Sequence, residues 1–437
     1  MNRFKARKLA VALGVAGLFV FSSHAMAAAF QLWEQDAASV GNFHAGYAAA
    51  AYDASTAFYN PAGLSRFDEQ QLVVSADSIF TSFKYRGMVN VNTINAGNSP
   101  QSVTAQGGNY GLVPALHYVA PLSDIFAFGL SVDVPFGLKV NYGKQTELRY
   151  ASTVASVQVV DISPVLSIKV TDQVSLGFGP DIQVMKGEFN QVGTMGGAEL
   201  DSDGINTADG TGYGMHAGIM YNINDNSRIG LSYHSQVVHH LTGTSTFSGP
   251  LADDFPPIAS SRAKVNLTLP PYTALSAYHK INPSVAVMAS VIYTQWSTIQ
   301  NLVLQNVAGV VDADATTSLT AMLPMHFHNS FNFSVGADYA VTDAMTLRGG
   351  IGYDQTPVKD AYRNVQLPDN DRYVFALGGH YQSTPTLGFD LGWSHIFINK
   401  AHVIPPPQVV GDEIVTTNGS VTGGADVFAA QLVWDMV

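Results

Sequence analysis

Residues 125–134 read IFAFGLSVDV. Phe126, Phe128, Leu130, Val132 and Val134 fall on one face, and Ala127, Gly129, Ser131 and Asp133 on the other. In 173–184, Val174, Leu176, Phe178, Ile182 and Val184 oppose Ser175, Gly177, Gly179, Asp181 and Gln183. In 386–397, Leu387, Phe389, Leu391, Trp393 and Phe397 oppose Gly388, Asp390, Gly392 and Ser394. Alternation at period two predicts strands with one apolar face and one small or polar face.

Short polar turns punctuate these segments at 121–124 (PLSD), 170–173 (VTDQ), 223–227 (INDNS), 281–284 (INPS), 341–344 (VTDA) and 382–385 (QSTP). Each is flanked by alternating residues, which is the hairpin signal. Longer Gly-, Asn- and Asp-rich stretches lie between them, near 87–109, 139–155, 187–212, 243–261, 305–324, 355–371 and 399–424. Six hairpins give twelve strands. A strand at about 71–86 and another at about 425–437 bring the number to fourteen.

Composition decides what such strands build. Only 12% of residues are charged, against about 25% in soluble domains. There are 40 glycines, and 19 tyrosines with 23 phenylalanines. After residue 21 no apolar run is long enough for a helical span. The fold class this implies is all-β: a closed transmembrane antiparallel β-barrel of fourteen strands over residues 70–437, in which every backbone donor finds an acceptor on a neighbouring strand. A soluble sandwich is the alternative reading of the same alternation. Tyr118, Tyr221, Tyr278, Trp296, Tyr339, Tyr381, Trp393 and Trp434 near strand ends fit interfacial girdles.

The chain opens as an export signal. Arg3, Lys5, Arg7 and Lys8 precede an apolar stretch at 9–21 and a small-x-small site at Ala25-Met26-Ala27. Residues 1–27 are read as a cleaved signal peptide, which places the barrel in a Gram-negative outer membrane. The net charge of −12 becomes −16 without the four leader cations, so nucleic acid is not an expected partner. The chain has no cysteine, hence no disulfide or thiol chemistry.

Residues 28–69 do not alternate. The stretch 45–63, AGYAAAAYDASTAFYNPAG, reads as short helical turns. A fourteen-stranded barrel encloses a lumen that either conducts or is plugged, and this segment is read as its plug.

The start 28-AAFQLWEQ-35, the motif 60-NPAGLSRF-67, and the blocks 347-LRGGIGYDQTPV-358 and 366-QLPDNDRYVFALGG-379 resemble the FadL-type outer-membrane transporters of long-chain fatty acids and hydrophobic compounds. The resemblance covers the mature chain. It implies a fourteen-stranded barrel with an N-terminal hatch, passive uptake, and no enzymatic activity or cofactor. It also implies that hatch movement frees the ligand sideways through a gap where the third strand kinks. Asn60, Pro61, Ala62 and Gly63 then belong to the hatch, with Phe30 at its start. Pro61 and Gly63 suit either a hinge or the end of a plug helix. Pro135 and Gly137 are the candidates for the kink and the lateral opening; the alternative is the top of the strand entering its loop.

A long acyl chain gains roughly 0.8 kcal/mol per buried methylene, so an apolar pocket binds it readily and release becomes the difficulty. For the carboxylate, strand parity points Arg348, Arg372, His234, His328 and His380 inward. Lys186 lies near a basic contact of the family, with outward parity. Residues 299–305, IQNLVLQ, lack the second basic contact. Phe247, Leu251, Phe255 and Ile258 are the candidates for an outer apolar groove. The partners expected are a long-chain fatty acid or another hydrophobic small molecule, outer-membrane lipid and lipopolysaccharide, with the protein a monomer. An aromatic hydrocarbon is the alternative ligand.

Other chemistry finds little purchase. His239 and His240 point to opposite faces. His326 and His328 are too few for a metal, so no metal site is expected. The run 201-DSDGINTADG-210 is only faintly like a calcium loop. A barrel-based lipid hydrolase is the rival class, and a structural or adhesive barrel a third; no Gly-x-Ser-x-Gly elbow occurs.

Overall fold

A computed structural model of the protein describes residues 29–436 except 94–95, 98–99, 196–197, 255–256, 259, 311–318 and 411–412. The leader at 1–27 lies outside the described residues. Fourteen antiparallel strands form one closed barrel. They are β1 (Gln70–Thr93), β2 (Gln101–Gln106 with Tyr110–Pro121), β3 (Phe126–Asn141), β4 (Val154–Lys169), β5 (Val174–Gly193), β6 (Ser202–Asn224) and β7 (Ser227–His234 with Val237–Ser248). The rest are β8 (Ser260–Leu269 with Tyr272–Asn282), β9 (Val285–Thr294 with Asn301–Val307), β10 (Leu319–Pro324 with Ser330–Thr342), β11 (Met345–Asp354), β12 (Arg372–Thr384), β13 (Leu387–Val403) and β14 (Glu413–Met436). β1 pairs with β14 from Gln70↔Met436 to Asn92↔Ile414, which closes the barrel without an edge.

All six short turns stand where the alternation places them. The long connections are shorter than expected, because strands continue into them. β1 runs to Thr93, β14 starts at Glu413, and β5 and β6 occupy much of 187–212. Beyond the bilayer a strand needs no apolar outer face, so pairing continues while alternation disappears. The faintly calcium-like run 201–210 is, from Ser202 onward, the start of β6.

The lumen is zoned. Inward positions at the turn end are small or polar: Ser131, Asp133, Asp161, Ser163, Asp181, Ser276, Ser290 and Asp390 are all buried. At the loop end they are apolar, with Leu138, Val157, Val159, Leu241, Val265, Leu267 and Leu302 in one continuous cluster. Two of the expected girdle aromatics face inward instead. Trp296 is fully buried in that cluster, and Tyr278 lies under the Arg228 guanidinium at 3.8 Å.

The plug fills the polar half. It consists of α1 (Ala37–Val40), α2 (Thr56–Tyr59) and a 3-10 helix, Pro61–Arg66. Asp36 caps α1 through its Oδ1, which accepts from Ser39 N–H at 2.7 Å. Wall side chains hold plug backbone. Ser290 and Ser276 accept from the amides of Tyr47 and Ala48, each at 3.0 Å. Arg228 donates to the carbonyls of Ala49 and Ala50. Glycines on the wall let the plug approach: a Cβ on Gly230 would lie 1.7 Å from Ala48 O, and one on Gly218 1.9 Å from Asn60 Oδ1.

Candidate transport site

Strand β3 determines the site. It pairs with β2 only up to Leu116↔Val132. Its pairing with β4 skips from Asp133↔Asp161 to Phe136↔Val159, so Val134 and Pro135 together oppose Val160. This is a β-bulge at a residue without an amide donor. It has two consequences. From Asp133 to Val140 the β3 edge has no β2 partner, and contact resumes where Asn141 N–H donates to Gly107 O at 3.0 Å, which leaves a bounded interruption in the wall. Parity also reverses: even-numbered residues face outward before the bulge, whereas Phe136, Leu138 and Val140 face the lumen after it.

The chain's own beginning covers the freed edge. Leu32 N–H donates to Pro135 O and Gly137 N–H to Phe30 O, both at 2.8 Å. Gln31 and Phe136 are antiparallel partners between those bonds. Gln35 continues the contact: its Oε1 accepts from Val134 N–H at 2.9 Å and its Nε2 donates to Val134 O at 2.8 Å.

Above the plug lies an apolar cavity. Its lining comes from Phe30, from Leu138 on β3, Val157 on β4, Phe189 on β5, Leu267 on β8, and Ile299, Leu302, Leu323, Met325 and Leu367, with Asn364 and Gln366. Among the described residues its exposed wall is apolar. The unfilled volume is about 40 Å³, room for on the order of three waters rather than a long acyl chain. Phe30 stops its base, with its ring 5.0 Å from Trp296 and 5.9 Å from Phe136, centroid to centroid.

The NPAG motif is a tether. Asn60 ends α2 and caps the 3-10 helix through Ala62 N–H. Its Nδ2 donates to Ala48 O at 2.6 Å and to Ile219 O on β6 at 3.2 Å. Pro61 starts that helix, where its missing donor is harmless. Gly63 is not in the left-handed region. It is there for space, since a Cβ would lie 2.3 Å from Thr56 Oγ1.

The expected carboxylate ligands are placed elsewhere. Arg348 is buried between Asp390 and Asp338, with its guanidinium 4.6 Å from the Tyr52 ring centroid. Arg372 is paired to Asp369, with Asp354 at 4.0 Å. Lys186 stands on the exposed outer face, because pairing with β4 and β6 is regular through it and no bulge turns it inward. His328 Nδ1 faces the Asn329 carbonyl at 2.8 Å, and the ring is not part of the cavity wall. The outer-groove candidates are placed as follows. Phe247 and Leu251 are buried, Leu251 at the start of a short helical turn whose amide reaches Ser202 Oγ. Phe255 lies outside the described residues, and Ile258 pairs through its backbone with Gly309.

One polar cluster escaped the sequence reading. Asp181, His216 and His234, on β5, β6 and β7, bring ligand atoms within 4.8 Å of one another. The two imidazoles stack at 4.6 Å with planes 4° apart, so their in-plane lone pairs do not converge on one ion. Both His216 nitrogens are engaged, Nδ1 with Asp181 at 2.5 Å and Nε2 with Ala57 O at 3.0 Å. As it stands the trio latches the plug to the wall. Only the strand parity of Asp181 and of His234 hinted at it, since the residues come from three strands.

The family model for outer membrane protein transport proteins (OMPP1/FadL/TodX) matches residues 18–435. Among curated relatives, outer membrane protein P1 of Haemophilus influenzae is 29% identical, covering 94% of this chain and 94% of the relative. The long-chain fatty acid transport protein of Salmonella typhi is 27% identical over 89% of this chain and 91% of its own. A Pseudomonas aeruginosa FadL homologue of solved structure superposes with a TM-score of 0.82 at 27% identity, covering 93% of this chain and 100% of the homologue. The toluene transporter TodX of Pseudomonas putida shares the fold, with a TM-score of 0.69 at 18% identity over 94% of this chain and 100% of its own. With its closed fourteen-stranded wall, internal plug and apolar cavity, this chain belongs to the OMPP1/FadL/TodX family of outer-membrane transport proteins, which carry hydrophobic compounds and are not enzymes.

Proposed function

We propose that the barrel takes up long-chain fatty acids, or molecules of similar apolar bulk, and releases them sideways between β2 and β3 when the N-terminal hatch moves. One observation carries this reading: Phe30 belongs to both the cavity and the gap. Its side chain stops the cavity base, and its carbonyl pairs with Gly137 at the freed edge. Withdrawal of residues 30–35 would enlarge the cavity and uncover the gap in one movement. Tight binding in a fixed cavity would trap the ligand, whereas a cavity that forms and collapses lets it leave. Asn60 and Pro61 tether the hatch, and Pro135 with Gly137 forms the lateral opening.

A monomer completes the channel, since the wall closes on its own strands, with outer-membrane lipid and lipopolysaccharide against it. An aromatic hydrocarbon is the second reading, and the apolar cavity wall favours it.

The test is uptake into proteoliposomes of a labelled long-chain fatty acid and, separately, toluene. It compares the native chain with a variant carrying Asn60→Ala and Pro61→Ala. Saturable fatty-acid uptake that collapses in the variant, with binding retained, supports hatch-gated transport. Uptake of toluene alone moves the substrate to aromatics. Uptake of neither sinks the transport mechanism.

A further inference from the structure

Of the 21 lysines and arginines, four lie in the leader, and the remaining 17 all fall among the described residues. None lines the cavity, and neither does any histidine among the described residues. The buried arginines are committed elsewhere. Arg228 serves the carbonyls of Ala49 and Ala50. Arg348 and Arg372 are held by carboxylates. Arg363 serves Asp360 and the carbonyls of Val358, Asp369 and His402.

The two polar side chains at the cavity present carbon to it. Gln366 Nε2 donates to Ala151 O at 2.8 Å. Asn364 Oδ1 accepts from Leu367 N–H at 3.0 Å, and its Nδ2 is turned to the thioether of Met325 at 3.8 Å. Among the described residues, no polar atom of the lining is exposed to the cavity.

An ionised carboxylate entering this space would lose its hydration and find neither cation nor donor, and the uncompensated burial of a charge is strongly unfavourable. We infer that the cavity selects uncharged hydrophobic molecules — esters, alcohols, hydrocarbons or the protonated form of an acid — over carboxylate anions of the same chain length. The inference rests on the uptake reading above and narrows its substrate class. Apolar bulk supplies the binding, and the stretch 299-IQNLVLQ-305 carries no basic residue. Ile299 and Leu302 of that stretch are themselves part of the wall.

The experiment uses the full barrel in lipid nanodiscs, with empty nanodiscs as the partition control. Displacement of a fluorescent apolar probe is measured at pH 8 for decanol, methyl decanoate and decanoate. The expected order has decanol and methyl decanoate displacing the probe at concentrations at least tenfold below decanoate. Decanoate binding as tightly as the neutral pair overturns the inference and leaves the uptake reading standing. Specific binding by none of the three overturns the uptake reading and the inference with it. Asn364→Lys places a cation at the wall and is expected to raise decanoate affinity relative to decanol by tenfold or more. An unchanged ratio in a correctly folded variant counts against the cavity as the selecting element.

Discussion

Gln31 and Phe136 face each other as an antiparallel pair flanked by two backbone hydrogen bonds, Leu32 to Pro135 and Gly137 to Phe30. The wall strand that has lost β2 has acquired the N-terminal segment as its partner. Because the flanking bonds belong to neighbouring residues, this is the non-hydrogen-bonded type of pair, with Cα atoms about 4.5 Å apart, inside the range a disulfide spans.

The native chain has no cysteine, so Gln31→Cys with Phe136→Cys gives a single possible crosslink. Oxidation is expected to abolish uptake of hydrophobic substrate, and a reductant to restore it. Uptake that persists in the quantitatively oxidised protein would show that this edge does not open during transport.

The plug sits against glycines. A methyl on Gly230 would lie 1.7 Å from the Ala48 carbonyl oxygen, a backbone atom that cannot swing aside. Gly230→Ala is therefore expected to lift the plug from β7 while the hydrogen-bonded wall still assembles. In planar bilayers the variant should conduct ions where the native barrel is closed. Gly349→Ala is the control, because its nearest neighbour would lie at 3.6 Å, an ordinary contact. Equal conductance of the two variants would remove the plug from the permeability barrier.

The strand count was legible because short polar turns and two-residue alternation leave local marks. Asp133 and Leu138 show where legibility stopped. Both face the lumen, yet they are five residues apart, an odd separation that a regular strand places on opposite faces. Only the bulge at Val134–Pro135 reconciles them, and a Pro-Gly signal does not say by how many residues a ladder slips. The apolar cavity was hidden for the same reason. Arg348 illustrates a different limit: its inward parity was readable, and the 341–344 turn sets Asp338 opposite it, but its second partner Asp390 comes from β13, and nothing along the chain announces that they meet.

Those partners set what Arg348 does. Its guanidinium is buried between two carboxylates and over Tyr52, within the polar half of the lumen. Arg348→Ala leaves Asp390 buried with less compensation, a loss of about 3–5 kcal/mol for a broken buried pair. Thermal unfolding of the barrel should move to lower temperature, while affinity for a hydrophobic ligand in the folded fraction stays within twofold. A tenfold loss of affinity without a change in unfolding would instead identify Arg348 as a ligand contact.

Glu34 gives the hatch a dependence on pH. It is buried in the plug beside Trp33, whose amide donates to its carboxylate at 3.0 Å. Burial pushes its pKa up to about 7 from 4.5, against the lowering pull of those backbone bonds and of Arg372. A carboxyl raised in this way is protonated in the folded state at pH values where the unfolded chain has already lost the proton. Its contribution favours the fold fully below about pH 4.5 and is lost as pH rises through about 7. The difference is on the order of 3 kcal/mol. Asp53, pushed up to about 7 chiefly by burial, adds in the same direction. The unfolding temperature of the native barrel is therefore expected to fall between pH 5 and pH 8. Glu34→Gln keeps the shape without the charge and should remove from that fall the part due to Glu34. Thermal melts followed by circular dichroism at four pH values, for both proteins, test this. Parallel curves for the two proteins would mean that Glu34 is not the group whose charging loosens the hatch.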